Sequence, residues 1–274
     1  MEKDFKIAVL IDGENIPSAY VTEMMEEVAK YGVPTIKRIY GDWTNPKLKK
    51  WKALLLENAI TPIQQYSYTM GKNASDSAMI IDAMDILYSG KVNGFCLVSS
   101  DSDFTRLATR LREAGMTVYG MGEKKTPKPF FVACDKFIYI EILKSQDEEE
   151  ETEEVVETVA KTANGRTTRS KTRKVKKTKK KALEKVTSKV VRLISATIAD
   201  CADEDGWAFL GDVGALLQKK QPNFDTRNYG FLKLTPLINS MGRFEIERRE
   251  NQKGRLKLIY VRKKGLSKQS LEIL

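Results

Sequence analysis

Two stretches of the chain are apolar at almost every position, IAVLI at residues 7–11 and FCLVS at residues 95–99. Unbroken apolar runs of that length suit strands covered on both faces, as in a parallel sheet flanked by helices. Around them, short apolar runs alternate with stretches of helical spacing over residues 5–143. The alternation predicts a doubly wound α/β sheet, Rossmann-like in class. Strands are expected over residues 6–11, 35–40, 61–65, 94–98, 117–121 and 137–140. Helices are expected over residues 18–30, 46–58, 76–89 and 103–113, with Gly32 and Gly115 as terminators.

The pattern then fails. Residues 146–181 read DEEEETEE followed by a Thr-, Lys- and Arg-rich stretch with almost nothing to bury, the composition of a disordered linker. Helical spacing returns with Val186, Val190, Leu193, Ile194 and Ile198, predicting a helix over 182–202. A second helix is expected over 210–220 and a third segment over 229–239. Strand-like runs at 244–248 and 256–261 flank RENQKG. Helices followed by a hairpin outline a winged helix. The expected domains are therefore 1–145, a linker at 146–181, a second domain at 182–265 and a tail at 266–274, and 274 residues suit two modest cores.

Composition narrows the chemistry. The chain has no histidine, so the commonest general base and the commonest transition-metal ligand are both absent. Its three cysteines, Cys96, Cys134 and Cys201, lie far apart, against structural zinc and against a disulfide framework. Metal chemistry would have to use oxygen ligands, which selects Mg²⁺ or Mn²⁺. No apolar run approaches the roughly 20 residues of a membrane span, and no signal pattern opens the chain, so a cytoplasmic protein without a membrane partner is expected.

The net charge of +10 is unevenly placed. Residues 1–144 carry 19 basic and 18 acidic groups, whereas 158–182 carry 11 basic and none acidic, and 183–274 carry 17 basic against 11 acidic. A polyanionic partner would meet the linker and the C-terminal part first.

Sites in parallel α/β sheets form at the carboxyl ends of strands. There the sequence places Asp12-Gly13-Glu14-Asn15 after the first strand and Ser100-Asp101-Ser102-Asp103 after the fourth, with Asp76 opening the helix before it. Such acids repel one another unless a divalent cation relieves them. Taken singly, Asp76 and Asp103 also suit helix N-caps. Asp82 and Asp85 lie six and nine positions beyond Asp76, so at most one shares its face. No phosphate-cradling glycine loop follows any strand. A haloacid-dehalogenase-type phosphatase would want an aspartate where Glu14 stands.

The blocks IDGENI, GKNASDSAMIIDAMDIL and LVSSDSDFTRLATRLREAG, in that order and spacing, resemble the NYN (LabA-like) branch of the PIN-type nucleases. The resemblance implies a parallel sheet of order 3-2-1-4-5. It also implies a metal site of Asp12, Asp76, Asp101 and Asp103, with Asn15 orienting Asp12 and Asp82 as an outer member. Ser100 stands where the family usually has glycine, which bears on whether the loop keeps full activity. The segment FDTRNYGFLKLTPLINSMGRFEI resembles the OST-HTH, or LOTUS, domain, a winged helix associated with RNA binding. Its aromatic and leucine positions read as core, and the RNA surface is expected among Arg227, Lys233, Arg243, Arg248, Arg249, Lys253 and Arg255.

Together these point to an endoribonuclease using Mg²⁺ or Mn²⁺, with water as nucleophile and, by resemblance, 5′-phosphate and 3′-hydroxyl products. RNA is the expected partner and a homo-oligomer is compatible. The rival readings are a non-catalytic RNA-binding regulator with a degenerate NYN domain, and a DNA-binding transcriptional regulator resting on the winged helix alone.

Overall fold

The computed structural model describes residues 5–66, 74–144, 184–250 and 257–265. The expected linker at 146–181 and the tail at 266–274 lie outside the described residues.

Six parallel strands form one sheet: β1 (Lys6–Asp12), β2 (Val33–Gly41), β3 (Thr61–Gln64), β4 (Gly94–Val98), β5 (Thr117–Gly122) and β6 (Lys136–Tyr139). Their order is β3-β2-β1-β4-β5-β6, the 3-2-1-4-5 arrangement extended by the sixth strand. The two apolar runs are the central pair, with Ile11 in register with Val98. Every β4 residue and all but the first of β1 are buried. Helices on both faces explain this: α1 (Val21–Ala29), α2 (Trp51–Glu57), α3 (Ala74–Tyr88), α4 (Thr105–Glu113) and α5 (Lys128–Ala133). Burying Ile7, Val9, Leu10 and Ile11 contributes on the order of 10 kcal/mol before the entropy of ordering is subtracted.

Three expected helix starts, at 18, 46 and 103, are instead single 3-10 turns that lead into α1, α2 and α4. Gly115 ends α4 in the left-handed region at φ 83°, a conformation that favours glycine. Gly32 serves a different end from the expected one. Its φ is not positive, and a Cβ there would lie 2.3 Å from the Phe5 carbonyl oxygen, so it permits a close backbone approach. The sequence pattern passed over α5, whose six residues are too few for a helical period to register.

The C-terminal domain comprises α6 (Ser188–Cys201), α7 (Leu210–Lys220) and α8 (Leu234–Ser240). Its antiparallel sheet, of order β7-β9-β8, is built from β7 (Ala208–Phe209), β8 (Phe244–Glu250) and β9 (Lys257–Lys263). Ile194, Ile198, Val213, Leu217, Leu237, Ile238 and Val261 form its core. The domain docks on the open edge of the large sheet. The Phe137 N–H of β6 donates to the Pro222 carbonyl at 2.8 Å, and the Asn223 amide donates to the Tyr139 hydroxyl at 3.0 Å. An edge strand that would otherwise present unpaired backbone groups is thereby partly covered. No helix among the described residues is long and apolar enough to cross a membrane.

Candidate metal centre

Asp12 ends β1 and is 2% exposed. Its Oδ1 accepts from the backbone N–H groups of Glu14 and Asn15, each at 3.2 Å. Its Oδ2 accepts from Asn15 Nδ2 at 2.7 Å and from the Ser99 hydroxyl at 2.8 Å. Four donors fill the roughly four acceptor sites of a carboxylate. Burial nevertheless pushes its pKa above the usual carboxylate range, with the bonds from Asn15, Ser99 and Glu14 opposing.

Ser99 is the hinge of the arrangement. Fully buried at the end of β4, it donates to Asp12, and its oxygen accepts the Asp101 N–H at 3.0 Å. One hydroxyl thus fixes two acidic loops. Glu14 does comparable work across the site: one carboxylate oxygen accepts from the Ser75 hydroxyl at 3.0 Å, the other from the Asp42 N–H at 3.4 Å. The first bond ties the start of α3, and so Asp76, to the β1 loop. Sequence reasoning passed over Ser99, Ser75 and Glu14 as site residues. The signal for Ser99 was a hydroxyl closing an otherwise apolar buried strand.

Three carboxylates converge above Asp12. Asp76, Asp101 and Asp103 each offer an oxygen, and these oxygens lie within 4.8 Å of one another. Asp76 lies in the first turn of α3. Asp101 is itself the N-cap of the turn before α4, with one carboxylate oxygen accepting the Asp103 N–H at 2.9 Å. The capping role expected for Asp103 therefore belongs to Asp101. Burial, then the charges of Asp12, Asp101, Asp103 and Glu14, push Asp76 up to about 6. The structure groups three of the four expected ligands and sets Asp12 beneath them, held by protein donors.

This donor set suits a hard divalent cation. Ligands of one Mg²⁺ at about 2.1 Å are at most about 4.2 Å apart, so the oxygens would close by a few tenths of an ångström onto an ion, and the mutual repulsion that raises Asp76 is what a cation would relieve. A groove of about 650 Å³ beside the Gly13–Asn15 loop is lined by Lys47, Lys50 and Lys125.

Asp82 stands apart from the cluster, its carboxylate engaged by Arg38 and the Tyr40 hydroxyl. Ser100 is buried, and its hydroxyl accepts the Glu123 N–H at 2.9 Å. Its φ is not positive, so the backbone at this position does not require glycine.

Among the expected RNA-contacting residues, Arg227 is a correction. Its guanidinium forks onto Glu27 at 2.8 and 2.9 Å and also binds Asp225, with the side chain 14% exposed. A cation so paired and buried is committed to holding the domains together. Lys233, Arg243 and Arg248 are exposed. Arg249 stacks 4.4 Å from the Tyr260 ring centroid and 5.0 Å from that of Trp207, and pairs with Glu247. Lys253 and Arg255 lie outside the described residues.

No curated protein matches the chain. A protein of unknown function from Vibrio parahaemolyticus is similar in structure, with 20% identity and a TM-score of 0.43 over 51% of this chain and 95% of that one. An uncharacterized protein from Nitrosomonas europaea shares 27% identity with a TM-score of 0.28, over 36% of this chain and 92% of that one. The NYN domain model matches residues 6–141, and the OST-HTH/LOTUS domain model matches residues 181–256. NYN domains fall within the PIN-like nuclease superfamily, and OST-HTH/LOTUS domains bind RNA. The acid-bearing sheet is thus an NYN domain, and the domain docked on its β6 edge is an OST-HTH/LOTUS domain.

Proposed function

We propose that the protein is a metal-dependent endoribonuclease whose NYN domain cuts RNA and whose OST-HTH domain, a winged helix in outline, helps to hold it. The division proposed is 1–145 for the nuclease domain, 146–181 for the linker and 182–265 for the RNA-binding domain, in a cytoplasmic protein. The observation that carries the reading is the convergence of Asp76, Asp101 and Asp103 over buried Asp12.

Asp76, Asp101 and Asp103 would hold Mg²⁺ or Mn²⁺. A bound cation supplies activation of water and neutralisation of charge at the scissile phosphate. Asp12 adds negative charge from below while Asn15 and Ser99 fix its orientation. Ser99 and Glu14 keep the three loops in register, so the carboxylates do not have to be ordered at each turnover. Lys47, Lys50 and Lys125 line an approach for the phosphate backbone on either side of the cut.

The non-catalytic reading drew on Ser100, where the ordinary φ means that the backbone conformation itself does not call for glycine. The test is incubation of the purified protein with structured and single-stranded RNA in Mn²⁺. Cleavage that stops with chelator, and in D101N, is expected. A D101N protein that folds normally and cuts at the wild-type rate would sink the assignment.

A further inference from the structure

A large cleft lies away from the acids, where the two domains meet. It measures about 1110 Å³ and is walled by the N-terminal ends of β5 and β6 on one side and by the end of α7 with the following Pro222 loop on the other. The acids sit at the C-terminal ends of the strands, so the cleft and the metal centre are on opposite edges of the sheet, on the order of 20 Å apart for a strand of this length.

The lining is strongly cationic. Arg112, Lys128, Lys136, Lys219 and Lys220 face the cleft against a single carboxylate, Asp135, an excess of four positive charges. Arg112 is paired with Asp135 at 2.9 Å, and Lys220 binds Asp200. Lys128 and Lys219 are exposed. Lys136 is partly buried with its ammonium 4.8 Å from the Tyr31 ring centroid. Burial lowers its pKa, opposed by the charges of Asp225 and Glu27.

Three aromatic rings, Tyr31, Tyr119 and Phe131, complete the wall. Tyr31 stacks on Tyr119 with centroids 4.9 Å apart, and both line the cleft. The Tyr31 hydroxyl donates to Glu27, the residue that receives the Arg227 fork, so the docking of the domains and the placing of this ring depend on one carboxylate.

We infer that this interdomain cleft is a second nucleic-acid site, binding single-stranded RNA through cations of both domains, with bases packing against the half-buried Tyr119 and Phe131 rings that line it. A cationic groove lined by half-buried aromatic rings is the chemistry that holds a single strand without reading its sequence. The inference rests on the RNA reading above and adds to it a site that neither domain forms alone. RNA held there would reach the acids only by running along the sheet edge, so the cleft anchors a strand that is cut some nucleotides away.

The test uses the full chain in chelator, where nothing is cut, and a labelled unstructured 12-nucleotide RNA titrated from 0.05 to 0.4 M salt. The variant is K128Q/K219Q, and K52Q/K189Q, exposed lysines outside the cleft, removes the same charge elsewhere. Each phosphate contact to a single strand contributes about 0.7 to the slope of log affinity against log salt. The cleft variant should therefore be shallower by about 1.4 and bind about 25-fold more weakly at 0.1 M salt, while K52Q/K189Q stays near wild type. Wild-type slope and affinity in K128Q/K219Q, with RNA still bound and cut by both proteins, would overturn the cleft and leave the nuclease reading standing. Wild-type protein that binds no RNA would overturn both. Equal weakening in both double variants would show an effect of net charge alone and so overturn the site.

Discussion

The contact between the domains makes a quantitative forecast at Glu27. Its carboxylate is almost wholly buried. Burial by itself would raise its pKa, but the Arg227 fork, the Lys30 ammonium and the Tyr31 hydroxyl hold it at about 2 against an ordinary 4.5. A depressed carboxylate stabilises the fold above its unfolded pKa, and that stability is lost as pH falls through the folded pKa. The 2.5-unit difference corresponds to about 3 kcal/mol at neutral pH. Glu27→Gln keeps the shape and removes the charge, so the variant resembles the protonated wild type.

The difference in stability between wild type and E27Q should thus be about 3 kcal/mol at pH 7 and shrink to about 2 kcal/mol at pH 3.5. Loss of one partner of a buried pair commonly costs 3 to 5 kcal/mol, which agrees in scale. Urea melts at both pH values, followed by tryptophan fluorescence, measure it. Trp43 and Trp51 report on the NYN domain and Trp207 on the OST-HTH domain, so the same melts reveal whether the two unfold together. A difference that is constant across this range, or absent at pH 7, would refute the assignment of Glu27 as the anion that latches the domains.

Four further outcomes are expected. Mn²⁺ at about a hundred times its dissociation constant should stabilise the wild type by about 2.7 kcal/mol and D101N far less, as read by thermal shift. Combining D12N with D101N should cost little more cleavage than either alone, because residues that act as a unit are not additive; kcat from single-turnover assays decides it. Ser99→Ala removes one of four donors to Asp12 and the acceptor for the Asp101 N–H, so it should lower stability by about 1 to 3 kcal/mol and reduce cleavage at saturating RNA, which an activity at the wild-type level would contradict. Ser100→Gly, at a position that needs no left-handed backbone, should lose the bond to Glu123 for about 1 kcal/mol and leave the metal-induced shift intact.

The NYN sheet was legible because its central strands are apolar on both faces, in runs too short for a buried helix and rich in Ile and Val at β1. Asp12 and Asp101 were legible for the converse reason, since an acid that ends such a strand has no packing role. The helix starts were less so, because a 3-10 turn and the first turn of an α-helix share the same residues. Arg227 was misread because a basic residue in a basic domain looks alike on a phosphate surface and in a buried fork. What decides between them is Glu27, 200 positions away in sequence. Ser99 was hidden by its neighbour: Ser100 drew attention by replacing glycine, whereas the hydroxyl that joins two acidic loops is the one before it.

Charge in the folded molecule does not follow the division into domains alone. Residues 1–144 are nearly neutral in sum, yet Asp76, Asp101 and Asp103 gather at the C-terminal ends of the strands, while Arg112, Lys128 and Lys136 line the cleft at the opposite end. The docked OST-HTH domain extends that second edge with Lys219 and Lys220. A polyanion approaching the acid cluster without a cation meets repulsion, and one approaching the opposite edge meets attraction. On the proposed function, capture at the cationic cleft would come first, then entry of a distal stretch of the same strand into the proposed metal site. On that order, removing metal should abolish cutting while leaving capture, because no carboxylate of the metal centre lines the cleft.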